Sequence, residues 1–280
     1  MFQAEIRGRK LTGADGLQLH LHCYTAPSGR GDVLVIPGKG EHGGRYAELA
    51  GVLEPLGWRL WGLDLRGQGL SDGPRSRVAR FVELVGDVHA AVQMIRPAKD
   101  RPLILLGYSM GAAVAVHYTV QYPANVQGLI LVSPCFRIDH RLKGIYGLAA
   151  HLGSWLIPHR VLTTGYDPAA VTTDPLEQQR IAADPLIDGT TRPRFVIELH
   201  RAARRCVGMA AEIASPVLTL ISPTDRIVDP LGAHDFHQNL KGDRLLVEYP
   251  GLRHDLLHER ERERVQQDIT TWLTGRWGHA

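Results

Sequence analysis

Apolar positions along the chain follow two different rhythms. Near the start, Leu17, Leu19 and Leu21 alternate with polar residues beside an Asp15-Gly16 turn, which predicts a hairpin. Further on the alternation disappears. Short β-rich runs, "DVLVIP", "WRLWGLDL", "PLILLGY" and "VQGLILVSP", are separated by helix-patterned stretches near Arg45–Leu56, across "RFVELVGDVHAAVQMI" and over Ala112–Gln121. Strands that are apolar throughout suit a sheet covered on both faces. Strand and helix in turn predict a mostly parallel sheet with right-handed crossovers. After Pro134 the alternation lapses. "FRIDHRLKGIYGLAAHLGSWLIPHRVL" and "RFVIELHRAARRCVGMAAEI" read as helices, with turns such as "TTDP" and "AADP" between them. The sheet pattern resumes at "PVLTLISP" and "DRLLVEYPG", and "RVQQDITTWL" ends the chain as a helix. The expectation is an α/β core built from residues 1–134 and 215–280, with a helical insertion at 135–214.

Composition narrows the function classes. The 280 residues are 44% hydrophobic and 22% charged, as in an ordinary globular protein. Thirty-two basic against 29 acidic side chains is too even a balance to point to nucleic acid. The run "HERERERV" alternates in sign and reads as a solvated helix face with Glu259/Arg262 and Glu261/Arg264 pairs. Cys23, Cys135 and Cys206 are odd in number and far apart, so a disulfide framework and a zinc ribbon are both disfavoured. His20 and His22 share a strand face and read as solvated. The amino terminus lacks an apolar signal region. The best apolar run, Gly144–Ile157, is shorter than a membrane span and is interrupted by His151. A cytoplasmic location is expected.

Chemistry concentrates in "LILLGYSMGAAVAV". Gly107-Tyr108-Ser109-Met110-Gly111 fits G-x-S-x-G between a strand and a helix, the nucleophile elbow. Such a turn projects the Ser109 hydroxyl from the end of the sheet, and it frees the Met110 N–H to meet an oxyanion. A serine hydroxyl needs a base, and the base an orienting acid. Asp225, after the strand in "VLTLISPTDRIVDP", and His254, after the strand in "LLVEYPGLRHDLLHE", supply them in the order Ser, Asp, His. Asp229 competes with Asp225 but sits before Pro230 and reads as a helix cap. His258 is second to His254, and a metal pair between these two lacks a specified third ligand. A separate feature points elsewhere. Gly38, Gly40 and Gly43 in "VLVIPGKGEHGG" fit G-x-G-x-x-G, and Asp64 lies where a dinucleotide site places its ribose acid. A nucleotide-binding oxidoreductase therefore stands as a distant alternative, although it leaves Ser109, Asp225 and His254 unexplained. A non-catalytic binding protein on the same fold is a third reading.

With these residues in place the sequence resembles the α/β-hydrolase superfamily, in particular its monoacylglycerol lipase/lysophospholipase (serine aminopeptidase-like) branch. "GKGEHGGRYAELAGVLEPLGW" is similar to that branch's H-G-x-G-E-H-x-x-R-Y loop and helix. "LDLRGQGLSDGPR" is similar to its D-x-x-G-H-G-x-S-x-G loop, and the elbow, acid and histidine segments match as well. Two positions depart: Pro37 stands where the branch has a loop-bracing histidine, and Gln68 where it has the histidine of G-H-G. The resemblance implies a serine esterase with Ser109 as nucleophile, His254 as base and Asp225 as orienting acid. It implies backbone donors at Lys39 and Met110, and no metal or organic cofactor. It also implies a helical cap over an apolar acyl tunnel, with Leu148, Trp155, Leu156 and Ile157 as candidate wall residues. The expected partner is a small ester or lipid, with transient membrane-surface contact through the cap. A thioesterase, an aminopeptidase or an acyltransferase would use the same triad.

Overall fold

The structure, a computed structural model, describes residues 6–24, 29–95, 101–137 and 151–278. Ten strands are present among them: β1 (Ile6–Thr12), β2 (Gln18–Tyr24), β3 (Gly31–Ile36), β4 (Trp58–Asp64), β5 (Leu103–Tyr108), β6 (Gly128–Val132), β7 (Leu162–Thr163), β8 (Thr190–Thr191), β9 (Val217–Ile221) and β10 (Arg244–Glu248). Eight form one sheet in the order β1-β2-β4-β3-β5-β6-β9-β10. β1/β2 and β2/β4 pair antiparallel, while every pair from β4 to β10 is parallel, so β2 alone runs against the rest. The hairpin around Asp15-Gly16 is the β1–β2 pair. The non-alternating runs are the central strands: every residue of β3, β5, β6 and β9 is buried.

Both faces are covered, as such strands require. On one face, α2 (Val82–Ile95) and α3 (Met110–Gln121) pack with a long helix, Pro193–Met209. On the other lie α1 (Ala47–Leu53) and the final helix Arg262–Trp277, with Trp58, Leu60, Ile269 and Trp272 between them and the sheet. Among the described residues no helix is long and apolar enough to cross a membrane.

Between β6 and β9 the chain leaves the sheet. It forms a helical turn over 151–156, the two-residue pair β7–β8, and helices Pro168–Val171, Pro175–Ala183 and Pro193–Met209. "TTDP", expected as a turn, starts a helix instead: Asp174 accepts the Leu176 N–H and Pro175 takes the first turn, where a missing N–H costs nothing. The β7–β8 pair is too short to carry a readable period. Near the chain's end, Glu259 is not part of a solvated face. It is fully buried and accepts from the Thr173 N–H and hydroxyl and from the Arg253 N–H. Arg262 turns to Glu48 and Asp174, and only the Glu261–Arg264 pair forms as expected, at 3.8 Å. His22 is likewise buried and bonds Asp64 at 3.2 Å rather than facing solvent.

Candidate active site

The elbow between β5 and α3 is built by close approach. Ser109 sits at φ 53°, ψ −115°, a region that non-glycine residues rarely adopt and that costs on the order of 1–3 kcal/mol. A Cβ on Gly107 would lie 2.5 Å from Ala112 Cα, and one on Gly111 would run into the carbonyls of Ile36 and Pro37. Larger residues at either position would push α3 off the sheet and lose the turn. The Ser109 N–H donates to Val132 O at 2.9 Å, and the Ser109 carbonyl accepts from Ala112 and Cys135. The end of β6, the loop after it and the first turn of α3 thus hold the strained residue.

Two loops converge on it. His254 Nε2 lies 2.8 Å from Ser109 Oγ, and His254 Nδ1 lies 2.6 Å from Asp225 Oδ2. The other Asp225 oxygen accepts the N–H groups of Ile227 (2.7 Å) and Val228 (3.1 Å), which fixes the carboxylate plane. Both side chains are almost fully buried. Ser133 Oγ donates to His254 O at 2.6 Å. Ser222 and Thr224 hydroxyls both donate to Leu252 O, tying the histidine loop to β6 and to the Asp225 loop. Asp229 lies apart: it caps the Leu231 N–H and pairs with Arg137. The capped helix starts at Leu231 rather than Pro230, one residue later than the sequence suggests. His258 is also elsewhere, bonded to Asp255 and to the Arg45 carbonyl, so it forms no pair with His254.

The glycine loop after β3 faces the same point. Gly38 and Lys39 line a cavity of about 340 Å³ that also holds Ser109 and His254. Among the described residues the N–H groups of Lys39 and Met110 meet no acceptor in the protein. Burial pushes the Lys39 ammonium pKa down, and Asp188 opposes this only in part. The support missing at Pro37 comes from another side: Gln68 Oε1 accepts the Gly40 N–H at 2.5 Å, and the Gly40 carbonyl accepts from Asp188 N at 2.9 Å. Asp64 is spent on the loops. It accepts from Gly43 N, Leu70 N and His22, and although burial alone would raise its pKa, these contacts hold it below the usual carboxylate range.

The cavity wall differs from expectation. Trp155, Leu156 and Ile157 are 83%, 78% and 46% exposed and do not line it; Leu148 lies outside the described residues. The helical turn over 151–156 directs Ser154 inward and Trp155 and Leu156 outward, with Ile157 exposed just beyond it, and a run that is mostly apolar carries little sign of which face is which. The apolar part of the wall includes Tyr166, Val171, Phe195, Leu199 and Ile227, with Tyr108 from the core. Phe195, Leu199, Ala202 and Cys206 recur at helical spacing and are all buried, a signal available in the sequence.

Among the described residues, two groups could offer three ligand atoms to a metal ion: His22, His42 and Asp64, and Glu177, Asp255 and His258. In both, hydrogen bonds within the protein already engage these side chains. His42 accepts from Gly44 and bonds Asp184, and Arg45 bonds Glu177 and Asp255.

A mostly parallel eight-stranded sheet with a strained serine between β5 and α3 defines an α/β hydrolase. The chain belongs to the family described as serine aminopeptidase, S33, whose pattern matches residues 27–261. It is 31% identical to the monoglyceride lipase of Mus musculus over 95% of this chain and 90% of that protein. It is 27% identical to the monoacylglycerol lipase of Mycolicibacterium smegmatis over 93% and 94%. The fold is similar to that of the crystal structure of the Paleococcus ferrophilus monoacylglycerol lipase, with a TM-score of 0.84 and 25% identity over 92% of this chain and 98% of that one.

Proposed function

We propose that the protein is a serine carboxylic-ester hydrolase acting on monoacylglycerols or lysophospholipids, with Ser109, His254 and Asp225 as its triad. The observation that carries the triad is the Ser109–His254–Asp225 relay at 2.8 and 2.6 Å, opening into a largely apolar cavity. The relatives' names support the substrate class. Ser109 Oγ attacks the ester carbonyl while His254 Nε2 takes its proton, and Asp225 stabilises the imidazolium. The charge on the carbonyl oxygen goes to the N–H groups of Lys39 and Met110. His254 then protonates the departing alcohol oxygen. Water, deprotonated by His254, attacks the acyl-enzyme, and His254 returns that proton to Ser109 Oγ as the acyl–oxygen bond breaks and the fatty acid leaves. A panel of monoacylglycerols, lysophospholipids and p-nitrophenyl esters of graded length tests this reading; turnover of none of them by the purified protein would refute it.

Lys39 serves the reaction through its backbone. Proline at that position deletes the N–H, and one oxyanion donor is worth on the order of 10²–10³ in rate. Lys39→Pro should therefore lose about that much kcat, while Lys39→Ala stays within a few-fold of wild type. Equal losses in the two variants would assign the work to the ammonium.

The insertion at 135–214 acts as a cap, and its outer surface is built to touch lipid. Leu152, Trp155, Leu156, Ile157 and Val161 are all exposed within a stretch of ten residues. Burying a large apolar side chain is worth about 1.5–3 kcal/mol, so each residue that enters a bilayer adds on the order of tenfold or more to partitioning. Trp155→Ser with Leu156→Ser should weaken co-sedimentation with phospholipid vesicles by about a hundredfold and leave hydrolysis of soluble p-nitrophenyl butyrate unchanged. Undiminished vesicle binding would remove the cap from this role. The three buried thiols are all unpaired, which suits a reducing compartment such as the cytoplasm.

A further inference from the structure

We propose that Arg45 is a positioning residue that ties the seating of the insertion to the placement of both catalytic loops. This rests on the triad reading above. Arg45 lies in the 3-10 turn Gly43–Tyr46 that follows the glycine loop, and only 6% of its side chain is exposed. Its guanidinium meets three carboxylates from three parts of the chain. Glu41 follows Lys39 by two residues and pairs with Nη1. Asp255 follows His254 directly and accepts from Nη2 at 2.9 Å. Glu177 belongs to the insertion helix Pro175–Ala183 and accepts from Nη2 at 2.7 Å. One buried cation therefore joins the oxyanion loop, the histidine loop and the insertion.

The surrounding bonds point the same way. The Tyr166 hydroxyl, from the cavity wall, donates to Glu41 Oε1 at 3.0 Å. The Asp255 N–H donates to the carbonyl of Val171, another wall residue, at 2.9 Å. His258 reaches Asp255 through Nδ1 at 2.9 Å and the Arg45 carbonyl through Nε2 at 3.1 Å. Both partners are acceptors, so the ring is doubly protonated. Burial alone would lower the His258 pKa, yet Asp255 beside it raises it. Arg45 and His258 together face Glu41, Glu177 and Asp255, with the exposed Arg180 also 3.3 Å from Glu177, and losing the guanidinium would leave three buried carboxylates against one buried imidazolium. None of these groups touches Ser109, so their effect on the reaction passes through the loops.

Lysine keeps the charge but lacks the planar fork that spans three carboxylates. A displacement of about 1 Å in a catalytic group can cost about 10² in rate. In the full chain, Arg45→Lys should lower kcat for p-nitrophenyl butyrate by about 10- to 100-fold, with KM within about threefold. Phosphonylation of Ser109 by an alkyl fluorophosphonate should slow by a similar factor. Glu177→Gln, which weakens the insertion's arm together with the exposed Arg180–Glu177 pair, should cost kcat about 3- to 10-fold. Arg264→Gln, at an exposed pair, should match wild type. Rates are taken well below each variant's Tm. If both network variants keep kcat within twofold, or if only KM rises, the proposal is overturned. If Arg45→Lys does not fold, Glu177→Gln alone decides, and wild-type kcat there overturns it. Wild-type protein that turns over esters without labelling at Ser109 would instead refute the triad reading.

Discussion

Ser109→Ala should lose about 10⁴- to 10⁶-fold in kcat on every ester the wild type hydrolyses, and it should keep its fold. The loss is large because the three triad groups act as a unit. With Oγ gone, His254 has no nucleophile to activate, and the residual rate comes only from binding and the oxyanion donors. The fold survives because Oγ makes one side-chain hydrogen bond, to His254 Nε2, while the elbow is held by backbone bonds to Val132, Ala112 and Cys135. Alanine keeps the Cβ and hence the same backbone strain. Circular dichroism and Tm check the fold; hydrolysis of p-nitrophenyl butyrate checks the chemistry. A folded variant that retains even a tenth of wild-type kcat would place the nucleophile elsewhere.

Asp225→Asn should cost on the order of 10⁴ in kcat, and Asp229→Asn less than about threefold. The asymmetry follows from hydrogen-bond direction. Asp225 Oδ1 accepts two backbone N–H groups, from Ile227 and Val228, so an amide at 225 keeps its oxygen there. Its NH₂ must then face His254 Nδ1. That forces Nδ1 to accept, puts the ring proton on Nε2, and leaves no lone pair to receive the Ser109 proton. The geometry persists while the tautomer is wrong. Asp229 makes no such contact; it caps Leu231 and pairs with Arg137, itself half exposed. Comparable losses at both positions would mean that the fold near β9, rather than the tautomer, is being measured.

What could be read in advance, and what could not, follows the physics of each segment. The sheet was legible because its strands are short apolar runs between helices, and that arrangement has few packed solutions. The three triad candidates were legible because each follows its own strand, where residues emerge at one end of a parallel sheet. The insertion was legible only as an interruption. Its "TTDP" hides a helix start that depends on one Asp174 side-chain bond, and β7–β8 is two residues long. Which face of the run around Trp155 turns inward is decided by its neighbours, not by its own pattern. The buried polar groups escape the pattern for a related reason. Glu259 and His22 read as solvated in sequence, and their partners, Thr173 and Arg253 for the one, Asp64 for the other, are brought to them by the fold. Gln68 as brace for Gly40 belongs to the same class, since its contact spans 28 positions.

The most direct measurement is the intact mass of the protein after exposure to an alkyl fluorophosphonate, with peptide mapping and a monoacylglycerol assay on the same sample. One adduct per chain is expected, on Ser109, with loss of hydrolysis in proportion to its formation. Full hydrolysis by a fully labelled protein, or an adduct on any other residue accompanying the loss, would contradict the triad reading.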